Sequence, residues 1–206
     1  MKHFSYFLIY LLLSACSVPT TFAADKPNIV FLLIDDWGWQ DVGFMGSSYY
    51  DTPAMDKLAR DGIRFNDAYS GAPNCAPTRA VLMSGQYAPR TGVYTVGSPE
   101  RGNKEERRLI PIANNEVLDM SIVTMAETIK AAGYNTAFFG KWHLGAGENG
   151  GPLTQGYDVN IGGNHTGTPA GGYFPPYKND TLADGQGDEY LTDRLTDEAV
   201  SFINTQ

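Results

Sequence analysis

Cysteine is almost absent from this chain of 206 residues: only Cys16 and Cys75 occur, and Cys16 lies in the leader-like first segment. Removal or lipidation of that segment leaves Cys75 without a disulfide partner, which calls for a special explanation in an exported protein. Basic side chains are also few. Fifteen Lys and Arg stand against 23 Asp and Glu, for a net charge of -8. Such a surface repels polyanions, which argues against a nucleic-acid-binding module. No internal repeat is evident, and the apolar run from Phe4 to Leu13, broken by Ser5, is too short for a membrane span. What is present is ordinary for one globular domain: 42% hydrophobic and 18% charged residues, enough for a real core.

The first residues read as an export signal, with Met1-Lys2-His3 as the basic start. Two processing sites compete. Leu13-Ser14-Ala15-Cys16 resembles a lipobox, giving a lipoprotein signal over 1–15 and a lipid anchor at Cys16. Thr21-Phe22-Ala23 fits ordinary cleavage, giving a signal over 1–23. Both place the mature chain outside the cytoplasm, as a periplasmic, secreted or outer-membrane protein. A lipid at Cys16 is the one expected membrane attachment.

Residues 28–34 form a continuous branched apolar run, which predicts a central parallel strand buried on both faces. Thr52 and Pro53 open a helix whose apolar face is Met55, Leu58 and Ala59, with Gly62 as its stop. Alternation over 63–69 predicts a strand, and a second helix begins near Pro77. A third helix is expected over about 121–132, then a strand over 134–139. Residues 147–176, rich in Gly, Pro, Asn and aromatics, predict a long loop or lid. A final amphipathic helix covers 190–203, with Leu191, Leu195, Ala199 and Phe202 on one face. Alternating strands and helices make the fold class α/β, a largely parallel sheet flanked by helices.

Three constellations carry chemistry. Asp35-Asp36 ends the apolar run, where ligands gather in open α/β sheets, and two hard carboxylates suit Ca²⁺ or Mg²⁺. Neighbours on a strand face opposite ways, so both reach one site only if the backbone turns there. Cys75 precedes a helix start, which favours negative charge, and Arg79 adds a permanent cation. Lys141 and His143 stand two apart, on one side of an extended segment, with Trp142 turned into packing. Taken one at a time, each has a bland alternative: a capped turn, an inert thiol, a surface arginine, a structural histidine. His165, in the long loop, is either a substrate contact or an exposed histidine. Asn164-His165-Thr166 and Asn179-Asp180-Thr181 match glycosylation acceptors but are discounted behind a bacterial-type leader. Tyr173, Phe174 and Tyr177 offer a sugar or aryl platform, or simple loop anchors.

The blocks Pro27-Asn28-Ile29-Val30 through Asp35-Asp36-Trp37-Gly38-Trp39, Thr52-Pro53-Ala54-Met55-Asp56, Cys75-Ala76-Pro77-Thr78-Arg79 and Gly140-Lys141-Trp142-His143-Leu144-Gly145 occur in order. Together they resemble the N-terminal portion of type I sulfatases, in the alkaline-phosphatase-like superfamily, from Lys26 to about Gln206. The resemblance implies a sulfuric ester hydrolase acting on sulfated sugars, polysaccharides or aryl sulfates. It implies that a formylglycine-generating enzyme oxidises Cys75 to formylglycine. Asp35, Asp36 and the modified Cys75 then match metal contacts, the metal usually being calcium. Arg79 matches the residue that steadies the nucleophile, Lys141 a sulfate contact and His143 a catalytic histidine.

The implied chemistry attacks sulfur with one hydroxyl of the aldehyde hydrate, expels the alcohol, and releases sulfate as the second hydroxyl loses its proton. A second pair of metal ligands, a further histidine and a further lysine of the family have no match here. The expectation is therefore a C-terminally incomplete catalytic domain over 24–206 that is inactive alone. The competing expectations are a phosphomonoester, phosphodiester or phosphonate hydrolase of the same superfamily, and a non-catalytic exported pseudoenzyme.

Overall fold

In the computed structural model, residues 26–206 are described. The expected signal segments over 1–23 and 1–15, with Cys16, lie outside them. The chain divides into two units, Met1–Ile34 and Asp35–Gln206. The described part of the first carries no strand, and its apolar residues are exposed, from 39% for Leu33 to 71% for Leu32. The expected buried central strand over 28–34 is thus not formed among the described residues. Branched apolar residues supply strand propensity, but a strand exists only through pairing with a neighbour.

Within the second unit the regular elements are α1 (Pro53–Asp61), α2 (Cys75–Ser84), α3 (Ala88–Thr91), α4 (Met125–Ala131), β1 (Ala137–Phe139), β2 (Val159–Ile161) and α5 (Leu191–Asn204). Short 3₁₀ turns occur at Gly43–Met45, Lys104–Glu106 and Pro152–Gln155. β1 and β2 pair in parallel, with Ala137 opposite Val159 and Phe139 opposite Ile161. A parallel pair needs a long crossover, and residues 140–158 supply it. The architecture is α/β with a parallel sheet and flanking helices, as the alternation of patterns predicts.

Asp158 pins the start of this sheet. Its Oδ2 accepts from the Thr136 N–H and hydroxyl, both at 2.9 Å, while Lys130 stands 2.5 Å from Oδ1. The Lys130 ammonium and the Thr136 donors hold its carboxyl at about 2.

α2 is the centre of the fold. Ala76, Ala80 and Met83, spaced by four and three, turn inward to Val93, Leu118, Ala126, Trp142, Leu144 and Tyr157. Its end is set by Gly85, which adopts φ 65 and donates its N–H to Val81 at 2.8 Å. Left-handed backbone there is cheap only for glycine. α4 starts later than expected, because Thr124 and Glu127 form a reciprocal cap. Thr124 Oγ1 accepts from Glu127 N–H at 3.2 Å, and Glu127 Oε2 accepts from Thr124 N–H at 2.7 Å. Such a box satisfies the first-turn amides, each cap being worth about 1 kcal/mol. α5 lies along β1, with Phe202 edge-on to Phe139 at 6.1 Å. That is the apolar face its sequence sets out.

Three further expectations are corrected. Residues 63–69 form no strand, and Ile63, Phe65 and Tyr69 are 78–88% exposed; alternation without a neighbouring strand gives no ladder. α1 forms where Thr52 and Pro53 place it, but none of its residues is buried and Leu58 is 66% exposed. Helix propensity and a proline start suffice to form it, while its apolar face is only partly covered: Met55 and Ala59 are half-buried and Leu58 is exposed. The expected loop over 147–176 contains β2, because the short Val159–Ile161 segment gains order only from β1 beside it.

Candidate functional site

Cys75 is the first residue of α2 and Arg79 lies one turn later, so the two share a helix face beside the apolar one. Cys75 is a half-buried free thiol. Asn74 caps the helix by position but not by its side chain, whose Nδ2 instead donates to Thr95 Oγ1 at 3.2 Å. Its Oδ1 is buried without a partner.

Arg79 is 5% exposed. One guanidinium nitrogen donates to the Lys141 carbonyl, and another stands 3.7 Å from Asp35 Oδ1. Burial lowers its pKa, while the charges of Asp35, Cys75 and Asp36 oppose that shift. Lys141 donates its ammonium to Asp35 Oδ2 at 2.5 Å, a contact across 106 residues of sequence. A single carboxylate therefore sits between two cations, and one of them also grips the backbone of the other. Two of the chain's fifteen Lys and Arg side chains meet here.

The backbone between Lys141 and His143 is fixed by Trp142. That ring is fully buried, edge-on to Phe138 at 5.1 Å and to Tyr157 at 6.0 Å, with its N–H donating to the Gly150 carbonyl at 2.8 Å. Lys141 and His143 were expected at an extended strand end. The segment is not a strand: β1 stops at Phe139 and His143 takes φ 64. Trp142 still faces inward, and the left-handed turn at His143 is stabilised by its N–H bond to the Asn164 carbonyl at 2.9 Å.

His143 titrates below its ordinary value of 6.5, first through desolvation and then through the charges of Lys141 and Arg79, with Asp35 and Glu116 opposing. The unfolded chain therefore takes up this proton more readily than the folded one. This contribution to stability is fully present above 6.5 and is lost as pH falls from there toward the lowered folded value. Between about pH 7 and about pH 5.5 the thermal midpoint should fall in the unsubstituted chain, and His143→Gln should flatten that slope. Identical slopes in the two proteins would contradict the shift.

The backbone turns at Asp35-Asp36, where Asp36 has φ 52. This is the turn two adjacent carboxylates need to serve one site. Asp36 is exposed and makes no hydrogen bond or ion pair among the described residues. Among the described residues no three His, Cys, Asp or Glu side chains gather as a cation site, so Asp35, Asp36 and Cys75 are not assembled into one. Asp35 is turned instead onto Lys141 and Arg79, the nearest positive charges. The donor chemistry of the two carboxylates fits a hard divalent cation, but only as part of a ligand set.

His165 is exposed and forms no hydrogen bond or ion pair among the described residues. Tyr177 is an anchor, buried and donating its hydroxyl to the Glu189 carbonyl at 2.9 Å. Tyr173 and Phe174 stay more than half exposed beside Tyr190. Sequence reading missed Asn74, Glu116 and Asn164. Only Asn164 left a signal, in its Asn-x-Thr pattern. Its Oδ1 accepts from the Thr166 N–H at 2.9 Å and hydroxyl at 2.6 Å, a turn that Asn179 and Thr181 repeat.

Known proteins resemble this chain over most of its described length. The sulfatase family profile matches residues 27–206. A sulfatase of Formosa agariphila is 44% identical over 156 residues, 69% of this chain and 28% of that protein. The N-acetylgalactosamine-6-sulfatase of Mus musculus is 33% identical over 220 residues, 96% of this chain and 40% of that protein. Among solved structures, Ps i-CgsB matches with TM-score 0.65 at 30% identity, covering 87% of this chain and 42% of that one. BT4656, in complex with its substrate D-glucosamine-2-N,6-O-disulfate, matches with TM-score 0.64 at 27% identity, covering 88% and 32%. The chain thus spans 28% and 40% of the length of these two curated relatives. With its profile match, its relatives and its parallel α/β fold in agreement, the chain belongs to the sulfatase family.

Proposed function

We propose that the protein carrying this chain is an exported sulfuric ester hydrolase acting on sulfated sugars, with Cys75 as the precursor of its nucleophile. The observation that carries this reading is the junction of Cys75 and Arg79 on one helix face with Asp35 and Lys141 closing on the guanidinium. Support for the substrate class comes from relatives named for sulfated sugars. Support for export comes from the leader-like first segment.

A formylglycine at position 75, installed by a formylglycine-generating enzyme, supplies as its hydrate a hydroxyl nucleophile and a second hydroxyl whose deprotonation releases sulfate. Asp35 and Asp36 would serve as part of the ligand set of a divalent cation, Ca²⁺ or Mg²⁺, which would polarise sulfuryl oxygens. The chain's own side chains do the rest. Arg79, held by burial and by the Lys141 carbonyl, keeps a fixed positive charge one turn from the nucleophile. Lys141 orients a sulfate oxygen once substrate competes with Asp35 for its ammonium. His143, whose pKa is lowered first by desolvation, is the residue assigned to take or give the proton of the reacting hydroxyl. His165, exposed on the turn after Asn164, is assigned a substrate contact.

Expression of the intact native gene product with a formylglycine-generating enzyme tests this. Mass spectrometry of the tryptic peptide from Phe65 to Arg79 should show loss of the thiol in favour of the aldehyde. The same protein should hydrolyse an aryl sulfate well above an aryl phosphate. An unmodified thiol in the native host would support a non-catalytic protein, and a preference for phosphate would support a phosphoester hydrolase.

A further inference from the structure

The turn from Asn164 to Gly167 closes on His143 from two directions. The Asn164 carbonyl accepts the His143 N–H at 2.9 Å and so holds a backbone at φ 64, a left-handed region uncommon for residues other than glycine. The Asn164 side chain then binds both the N–H and the hydroxyl of Thr166, which curls the chain back toward the histidine. Gly167 arrives against the ring. A Cβ built on Gly167 would stand 2.5 Å from Cε1, 2.8 Å from Nε2 and 3.1 Å from Nδ1 of His143.

Those three atoms are the N–C–N edge of the imidazole, the edge that exchanges protons. Backbone conformation gives no reason for glycine here, since Gly167 is not among the glycines of positive φ. The reason is space, and the ring takes it. Moreover, His143 Nδ1 is buried with no hydrogen-bond partner, so no bond at that atom fixes the orientation of the ring. Packing against Gly167 does.

We propose that the turn from Asn164 to Gly167 is the positioning device of His143, with Gly167 setting where the proton-exchanging edge stands. The inference rests on His143 acting in ester hydrolysis as described above. Asn164 and Gly167 are positioning residues, and neither is assigned contact with the reacting atoms.

Gly167→Ala tests it with two readouts. The sequence holds three histidines, so the Cε1–Hε1 correlations of His143 and His165 can be assigned by substitution. In the unsubstituted chain a nuclear Overhauser contact should join His143 Hε1 to the Gly167 α-protons. In Gly167→Ala the His143 signal should move while that of His165 stays in place. In the intact gene product kcat should fall by about 10- to 100-fold with KM within about twofold, the size expected for a reacting group displaced by a fraction of an ångström. Should Gly167→Ala fail to fold, Asn164→Ala and Asn164→Asp replace it: the aspartate keeps the acceptor for Thr166 and should restore the His143 signal that alanine moves. An unmoved His143 signal in a folded Gly167→Ala protein overturns the proposal, whatever the activity. A moved signal in a protein that never hydrolyses sulfate esters upholds the positioning and sinks only the catalytic reading it serves.

Discussion

In the intact gene product, Cys75→Ala should leave a folded protein whose proposed sulfate-ester hydrolysis is lower by roughly 10⁴-fold or more, as expected when a covalent nucleophile is removed. The fold should barely notice. Cys75 is half-buried at the first position of α2, where alanine is a good helix former, and the apolar face of that helix is made by Ala76, Ala80 and Met83. A stability change within about 1 kcal/mol is expected, read as the denaturant midpoint. The split between activity and stability is the informative result. Retained turnover would remove Cys75 from the chemistry and return it to a small packed hydrophobe. Loss of both together would mean that the residue acts through the helix start and not through its sulfur.

The second large effect is structural in origin and functional in consequence. Trp142→Ala deletes a fully buried ring that touches Phe138 and Tyr157 edge-on and satisfies the Gly150 carbonyl. Truncation of such a ring costs about 3–5 kcal/mol, and a buried carbonyl without its donor adds to it. Because Lys141 and His143 flank this anchor, the loss spreads to the site. The Lys141 carbonyl holds Arg79, and the Lys141 ammonium holds Asp35. The proposed activity of the intact gene product should therefore fall even at temperatures where the variant remains folded. Trp142→Phe, which keeps most of the packing but not the N–H, should lie between the two in midpoint and in rate. A Trp142→Ala protein with unchanged midpoint would contradict the core described for the second unit.

Other parts of the molecule were legible for local reasons. α4 and α5 follow from apolar spacing and α2 from its proline start, whereas the stop at Gly85 and the cap at Thr124 came only with the structure. α1 was equally legible as a helix, because Thr52 and Pro53 set its start. Its burial was not, because what covers a helix face is a property of other residues. The runs over 28–34 and 63–69 fail as predicted strands for the same reason in sharper form. Periodicity records a preference, and pairing partners far away in sequence turn it into a strand. β2 is the converse case, three residues with little pattern of their own, ordered by β1.

By itself, the amino-acid sequence determined that Cys75 and Arg79 lie at the start of one helix, expected near Pro77; the structure begins α2 at Cys75 itself, one turn before Arg79. The sequence also determined that Trp142 packs inward between two polar neighbours. Only the tertiary structure decided that Asp35 meets Lys141 across 106 residues and that Arg79 grips the backbone of that lysine. It decided as well that His143 turns through a left-handed conformation against a bare glycine. Short-range geometry is written in the covalent chain, whereas these contacts exist because burying a common core brings distant segments, and their charges, to one place.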